Sequence, residues 1–425
     1  MFRGIWMPID VVVIGLGYVG LPLAREATLS GLSVVGLDLN REIVDGLNAG
    51  DSHVGDISDA DIAQMHLRGF VATNEERLAA DAEVIVICVP TPLSADNSPD
   101  LTAVRGAALT AGRLLRPGAL VVLESTSYPG TTDEVVRPIL ESTSGLAAGP
   151  DFALAFSPER IDPGNCQYGL RNTPKVVGGH TESCADAATR FYSKVCDHIV
   201  RAKSPREAEM AKLLENTYRH VNIALVNEMA IFCHDLGIDL HDAISCASTK
   251  PFGFQPFFPG PGVGGHCIPI DPNYLSYKVR TLGFPFRFVE LAQEINARMP
   301  SYVVERATEL LNGQAKPVKD SRVLLLGVTY KKDIADQRES PVKAIASKLR
   351  SRGARIAFHD PYVTEWMVDN EQVPRALDIN TEISAADLVL LLQDHSSYDL
   401  DRIALSANLL LDTRGRLAGP NIATL

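Results

Sequence analysis

The sequence predicts an α/β protein with two doubly wound parallel-sheet domains, one at each end, joined by a long central helix and a helical middle domain. Three observations predict it. Continuous β-branched runs alternate with helical segments near the start, the same rhythm returns after Lys319, and between them apolar residues recur at helical spacing. Strands alternating with helices imply crossover connections, which lay the strands parallel and cover both faces of the sheet.

Val11-Val12-Val13-Ile14 reads as a strand buried on both faces, broken by Gly15 to Gly20 before a helix begins. The next strands end at Asp38, at Pro90-Thr91-Pro92 and, after Leu120 to Glu124, at Ser125-Thr126. Ligands of such sheets bind beyond the carboxyl ends of the strands, where Gly15, Asp38, Thr91 and Thr126 all fall. Strand-end capping beside proline is the alternative for the two threonines. From Pro205 to about Gly237 Met210, Leu213, Thr217, Val221, Ala224 and Leu225 keep a helical period, and a helix that long tends to join domains or pair with a symmetry mate. A glycine- and proline-rich segment follows, Pro251 to Pro272, then a helix over Phe288 to Leu311 and a boundary at Asn312-Gly313. The second α/β unit has strands at Arg322 to Gly327, Arg355 to Phe358 and Leu388 to Leu392. The expected domains are 1–204, 205–312 and 313–425, with the catalytic cleft between the lobes.

A chain of 425 residues is long enough for two or three cores. The net charge of -12 argues against a nucleic-acid partner, which demands clustered cations. Seven cysteines without a CxxC pair suit a reducing compartment, with neither a disulfide framework nor a metal site. No apolar run is long enough to span a membrane, so a cytoplasmic protein is expected.

Gly15-Leu16-Gly17-Tyr18-Val19-Gly20 is a GxGxxG turn between strand and helix, as in a Rossmann-like domain. Gly15, Gly17 and Gly20 permit the turn, the approach of a pyrophosphate and close helix packing, while Tyr18 and Val19 lie at the helix start. Asp38 ends the next strand, where its carboxylate can accept from both ribose hydroxyls and repel a 2′-phosphate, so NAD is favoured over NADP. A structural glycine turn with an incidental Asp is the alternative.

Pro259 to Pro272 is the densest glycine/proline loop, and its glycines let a ligand carbon approach Cys267, with Asp271 near to hold water or a cation. A buried core cysteine is the alternative, and the fate expected of the other six. A nucleophilic cysteine in a dehydrogenase carries oxidation past the aldehyde, through a thiohemiacetal and a thioester.

The chain resembles the UDP-glucose/GDP-mannose dehydrogenase family over nearly its whole length. The matching segments are the glycine turn, Val89-Pro90-Thr91-Pro92, Glu124 to Thr132, Ser157-Pro158-Glu159-Arg160, the Cys267 loop and Tyr330-Lys331-Lys332-Asp333. Glu215 to Glu228 and Gly264 to Pro272 look most like the branch acting on UDP-N-acetylglucosamine, with UDP-glucose, dTDP-glucose or UDP-N-acetylmannosamine as other candidate substrates. The resemblance implies a four-electron oxidation of the hexose C6 alcohol to a uronic acid with two NAD per turnover. Cys267 would be the nucleophile, and Lys212 and Asn216, one turn apart, would face the reacting oxygen. Asp271 would orient Lys212 and water, and Glu159 would assist proton transfer or thioester hydrolysis, unless it only pairs with Arg160. Thr126 would serve catalysis and cofactor. Pro90, Thr91 and Arg338 would meet the cofactor, and Arg160, Gly264, Tyr330 and Lys331 the substrate, with Lys331 on the diphosphate. Lys250 stands where relatives place an Arg that reaches a partner's substrate, which would require a homodimer through the central helical domain; otherwise it caps its helix. Ile270 replaces the Lys usual in the UDP-glucose branch, which weakens that reading. A non-catalytic NAD-binding protein is the alternative of a different class.

Overall fold

The structure is a computed structural model that describes residues 9–94, 98–162, 164–165, 167–265 and 268–425. The chain divides into two compact units. The first holds the residues up to Glu215 together with Asn273–Phe284, and the second holds Asn216–Pro272 and Pro285–Leu425.

The first unit is built on an eight-stranded sheet. Its strands are β1 (Val11–Ile14), β2 (Val34–Leu37), β3 (Val71–Thr73), β4 (Val84–Ile87), β5 (Leu120–Leu123), β6 (Ala153–Phe156), β7 (Lys175–Gly179) and β8 (Ile199–Arg201), in the order β3-β2-β1-β4-β5-β6-β7-β8. The unbroken apolar run of β1 has a direct cause. Val11 and Val13 pack into one layer with Leu21 and Leu23, whereas Val12 and Ile14 pack into the other with Val104 and Leu140. The sheet departs from the all-parallel expectation at one place, where β6 and β7 run antiparallel. A parallel return needs a crossover, usually a helix, and among the described residues no helix lies between β6 and β7.

The second unit carries β9 (Arg322–Leu326), β10 (Arg355–His359), the hairpin β11 (Met367–Val368) and β12 (Glu371–Gln372), β13 (Leu388–Leu391), β14 (Leu410–Asp412) and β15 (Ile422–Thr424). Its main sheet is parallel, in the order β10-β9-β13-β14-β15. Met299, Val303 and Leu311 of the helix Arg287–Gly313 share a core with Val323, Leu325 and Ile345.

By contacts, the region 205–312 is shared between the two units. The long helix Pro205–Asp235 begins with Glu209 and Lys212 bonded to the first lobe. Further on, Asn227 accepts from the Gly260 amide (2.9 Å) and donates to Asn296 (2.9 Å), all within the second unit. Among the described residues no helix is long and apolar enough to cross a membrane, and no cluster of three or more His, Cys, Asp or Glu is placed to hold a metal ion.

Candidate active site

The glycine turn at the end of β1 shows a separate reason for each glycine. Gly15 has φ +94°, and a Cβ there would stand 2.6 Å from the Cys88 carbonyl oxygen. A Cβ on Gly20 would be driven into the Gly15 carbonyl, while one on Gly17 would meet nothing within 4 Å. Packing therefore explains the first and third glycines, and the open side of Gly17 leaves room for a pyrophosphate. The helix Gly20–Leu29 starts here with Val19 as N-cap and no side-chain cap, and the positive end of its dipole favours an anion. Tyr18 is 40% exposed. Asp38 accepts from the Leu16 amide (2.8 Å) and the Asn40 amide (2.8 Å), so its carboxylate is fixed beside the turn with lone pairs left for ribose hydroxyls. These residues fit a dinucleotide.

Thr91 and Thr126 are both half-buried at the carboxyl edge of the same sheet, and Pro90 is exposed. Tyr274, fully buried, donates its hydroxyl to the Thr91 carbonyl and ties the segment Asn273–Phe284 to this edge.

Lys212 is buried and donates from Nζ to the Glu159 carbonyl (2.5 Å). The Glu159 carboxylate points inward, accepting from the Arg160 and Ile161 amides (2.6 and 2.5 Å). The ionic partner of the Arg160 side chain is Glu215 (2.7 Å), so the Glu159–Arg160 side-chain pair entertained from the sequence does not form. Beneath Glu159 lies Lys175, 3.3 Å from its Oε2 and 3.1 Å from Glu124 Oε1. Burial opposes the charge on Lys175, but the two carboxylates outweigh it and hold the ammonium above the ordinary lysine range. Burial pushes the Glu124 carboxyl up, along with the Tyr192 hydroxyl that donates to it.

Glu209, three residues before Lys212, accepts from the Gly130 and Thr132 amides and the Thr132 hydroxyl. Burial pushes its carboxyl up to about 7. Sequence reasoning missed Glu209, Lys175 and Tyr192. Only the acidic residue one turn before Lys212 offered a local signal; the others meet partners far away in the chain.

In the second unit Asn216 donates to Asp271 (2.5 Å), and both side chains are buried. The loop before Asp271 rests on the C-terminal lobe: a Cβ on Gly264 would stand 2.7 Å from Tyr330 Cβ, and one on Gly265 2.7 Å from the Tyr330 ring. Packing on Tyr330 thus gives these glycines a structural cause beside the one read from the sequence. Cys267 lies outside the described residues. Lys250 sits 5.0 Å over the Phe252 ring. At the end of β9 Lys331 and Lys332 are half-buried, and the turn is fixed by Asp333, which accepts from the Ser396 amide and hydroxyl (2.7 and 2.6 Å). Arg338 is exposed and grips both oxygens of Asp336 (2.8 and 2.6 Å).

A lobe that sets a glycine turn at a helix start beside a strand-end carboxylate is built for an NAD-dependent oxidoreductase. Comparison with known proteins extends this to the whole chain. The NAD binding, central and UDP binding domains of the UDP-glucose/GDP-mannose dehydrogenase family match residues 9–196, 206–298 and 324–418. The chain belongs to this family and is an NAD-dependent nucleotide-sugar dehydrogenase. It is 36% identical to the UDP-N-acetyl-D-glucosamine 6-dehydrogenase of Pseudomonas aeruginosa over 84% of this chain and 83% of that one. It is 33% identical, over 97% of each chain, to the NDP-N-acetyl-D-galactosaminuronic acid dehydrogenase of Ralstonia solanacearum. Among solved structures, the UDP-D-ManNAc dehydrogenase of Pyrococcus horikoshii superposes with a TM-score of 0.88 at 32% identity, over 98% of this chain and 99% of that one.

Proposed function

We propose that the chain oxidises the C6 alcohol of UDP-N-acetylglucosamine to the carboxylate in two NAD-linked steps through a thioester on Cys267. The observation that carries the reading is the buried Asn216–Asp271 hydrogen bond, which ties the end of the cysteine loop to the catalytic face of the long helix. Gly15, Gly17, Gly20 and Asp38 would hold NAD, which would supply the hydride acceptor for each oxidation. The first oxidation leaves an aldehyde, and the Cys267 thiolate adds to its carbon, so that a C–S bond forms and the carbonyl electron pair moves to oxygen. Lys212 and Asn216 face the C6 oxygen throughout, stabilising the negative charge that develops on it as the first hydride leaves and then this oxyanion. The second oxidation restores the C=O bond as a thioester; water adds, the thiolate leaves, and three protons are released over the cycle. Thr126 lines the cofactor edge, Asp271 holds Asn216, and Tyr330, Lys331 and Arg160 serve the substrate.

The N-acetyl sugar is favoured by the loop Gly264 to Pro272, in which Ile270 departs from the UDP-glucose branch. The P. aeruginosa relative points the same way. UDP-N-acetylmannosamine is the second reading, favoured by the match to the P. horikoshii structure. A homodimer through the long helix is part of the proposal. Leu214, Tyr218, Leu225, Phe232 and Leu236 are 46–66% exposed and form one apolar stripe, which a second copy would cover and so bring Lys250 to its neighbour's substrate. Free Cys88, Cys184, Cys196, Cys233 and Cys246, together with the NAD requirement, suit the cytoplasm.

The test is NADH formation on UDP-glucose, UDP-N-acetylglucosamine, UDP-N-acetylmannosamine and dTDP-glucose. The expected result is the highest kcat/KM with UDP-N-acetylglucosamine and two NADH per acid formed. Cys267→Ser should bind NAD and form no acid; normal acid formation by that variant removes the covalent mechanism.

A further inference from the structure

We propose that Lys175 is a positioning residue for the reaction, anchoring Glu159 from beneath so that the Glu159 carbonyl holds the Lys212 ammonium in place. The proposal rests on Lys212 acting at the reacting oxygen.

The antiparallel step from β6 to β7 makes the arrangement possible. It brings Lys175, the first residue of β7, under the turn that follows β6, where Ser157-Pro158-Glu159-Arg160 lies. Lys175 is 2% exposed, its Nζ lies between Glu124 and Glu159, and it stands 5.2 Å over the Tyr192 ring. Glu124 Oε2 is buried without a hydrogen-bond partner. Two carboxylates around one ammonium in a dry pocket are poor for stability, and well-packed apolar side chains would serve a core at least as well. What the cluster supplies is geometry.

Each part of Glu159 is committed. Its Oε1 accepts from the Arg160 and Ile161 amides and its Oε2 from Lys175, which curls the turn and aims the carbonyl outward at Lys212 Nζ. The curl is closed by Arg160, whose guanidinium donates to the Pro174 carbonyl (2.6 Å), one residue before Lys175, and pairs with Glu215. Lys212 and Glu215 lie one turn apart on the long helix, so a single turn of chain grips that helix at two points. Glu159 thus holds Lys212 through its carbonyl, and its carboxylate is fixed by Lys175 and the two amides.

If Lys175 is lost, the turn relaxes and Lys212 loses its tether, and a displacement on the order of 1 Å is enough to slow chemistry about 10- to 100-fold. The experiment uses the full-length protein in single-turnover reactions with whichever nucleotide sugar it turns over fastest. Because Lys175→Met alone leaves two carboxylates unpaired, the variant is the charge-balanced double Lys175→Met with Glu124→Gln. The first NADH should appear about 10- to 100-fold more slowly, with no covalent adduct accumulating by intact mass and NAD affinity unchanged by calorimetry. Lys175→Arg, which keeps the charge, should rescue most of the rate. A first NADH within about threefold of the parent rate overturns the proposal. Unchanged turnover in Lys212→Ala would instead sink the underlying reading of Lys212, leaving the two failures distinct.

Discussion

The two α/β lobes begin with the same turn and then part. In the first, Gly15 follows β1 with φ +94°, donates its amide to the Leu37 carbonyl (2.8 Å), and the next amide, of Leu16, goes to Asp38. In the second, Gly327 follows β9 with φ +81°, donates to the His359 carbonyl (2.9 Å), and the next amide, of Val328, goes to Asp360 (2.7 Å). A glycine and an aspartate one strand apart are therefore a clamp for the turn, common to both lobes. Ligand chemistry is set by what comes next. The first lobe enters a helix at Gly20, whereas the second spends Val328 to Ser340 on a loop carrying Lys331 and Lys332 before its helix Pro341–Ser351. Asp38 is half-buried beside its turn, while Asp360 is sealed under His395, which bonds it at 3.1 Å. On the function proposed above, the first lobe would meet phosphate at its glycine turn and keep a carboxylate for ribose, and the second would meet its ligand with ammonium side chains while its own carboxylate is used internally.

The largest effect that separates the lobes is expected from Gly20→Ala. A Cβ there runs into the Gly15 carbonyl. The first turn must open, so NAD binding should weaken by about 100-fold or more, the cost of one overpacked contact. UDP affinity, read by calorimetry, should not move; a parallel loss of both ligands would mean that the lobes do not bind independently. Asp38→Ala comes next. Losing a charged acceptor should weaken NAD by about tenfold and narrow the preference over NADP, because the repulsion of a 2′-phosphate goes with it. An unaltered NAD/NADP ratio would show that Asp38 serves only the turn, as Asp360 does in the other lobe.

Legibility in the sequence follows the range of the interaction. Strands β1, β2, β4, β5, β9, β10 and β13, the long helix and the glycine turn are written in runs of neighbouring residues, and the structure has them within a residue or two of where the pattern puts them; the remaining, mostly shorter strands were not read from the sequence. The antiparallel β7 was not legible, because nothing in Lys175-Val176-Val177 says which way a strand runs. The Glu124–Lys175–Glu159 cluster was not legible for a related reason. Its members lie 51 and 16 residues apart, and a lysine opening a strand reads as an edge residue until the fold buries it. Local spacing placed Lys212 and Asn216 on one helix face, but only geometry shows that Lys212 is held by a backbone carbonyl and Asn216 by Asp271.

The smallest and most selective effect is expected from His395→Leu. His395 is fully buried; its Nδ1 accepts from the Asp333 amide (3.0 Å), so its Nε2 carries the proton that goes to Asp360. Through these two bonds it ties the Lys331-Lys332-Asp333 turn to the clamp of the second lobe. Leucine keeps most of the volume and leaves the Asp333 amide unsatisfied, which should cost about 1–3 kcal/mol of stability and weaken UDP severalfold with NAD unaffected. The effect also has a pH signature. Burial opposes the Asp360 carboxylate, but His395 and the Val328 and Tyr362 amides outweigh it, so its pKa lies below the ordinary 3.8. A depressed carboxylate pKa contributes stability above its unfolded value and loses it as pH falls through the folded one. The stability gap between parent and variant should therefore be full at neutral pH and shrink in acid below 3.8, as read from denaturation midpoints. A gap constant with pH would mean that His395 acts by packing alone, and an equal loss of NAD affinity would break the separation of the two lobes.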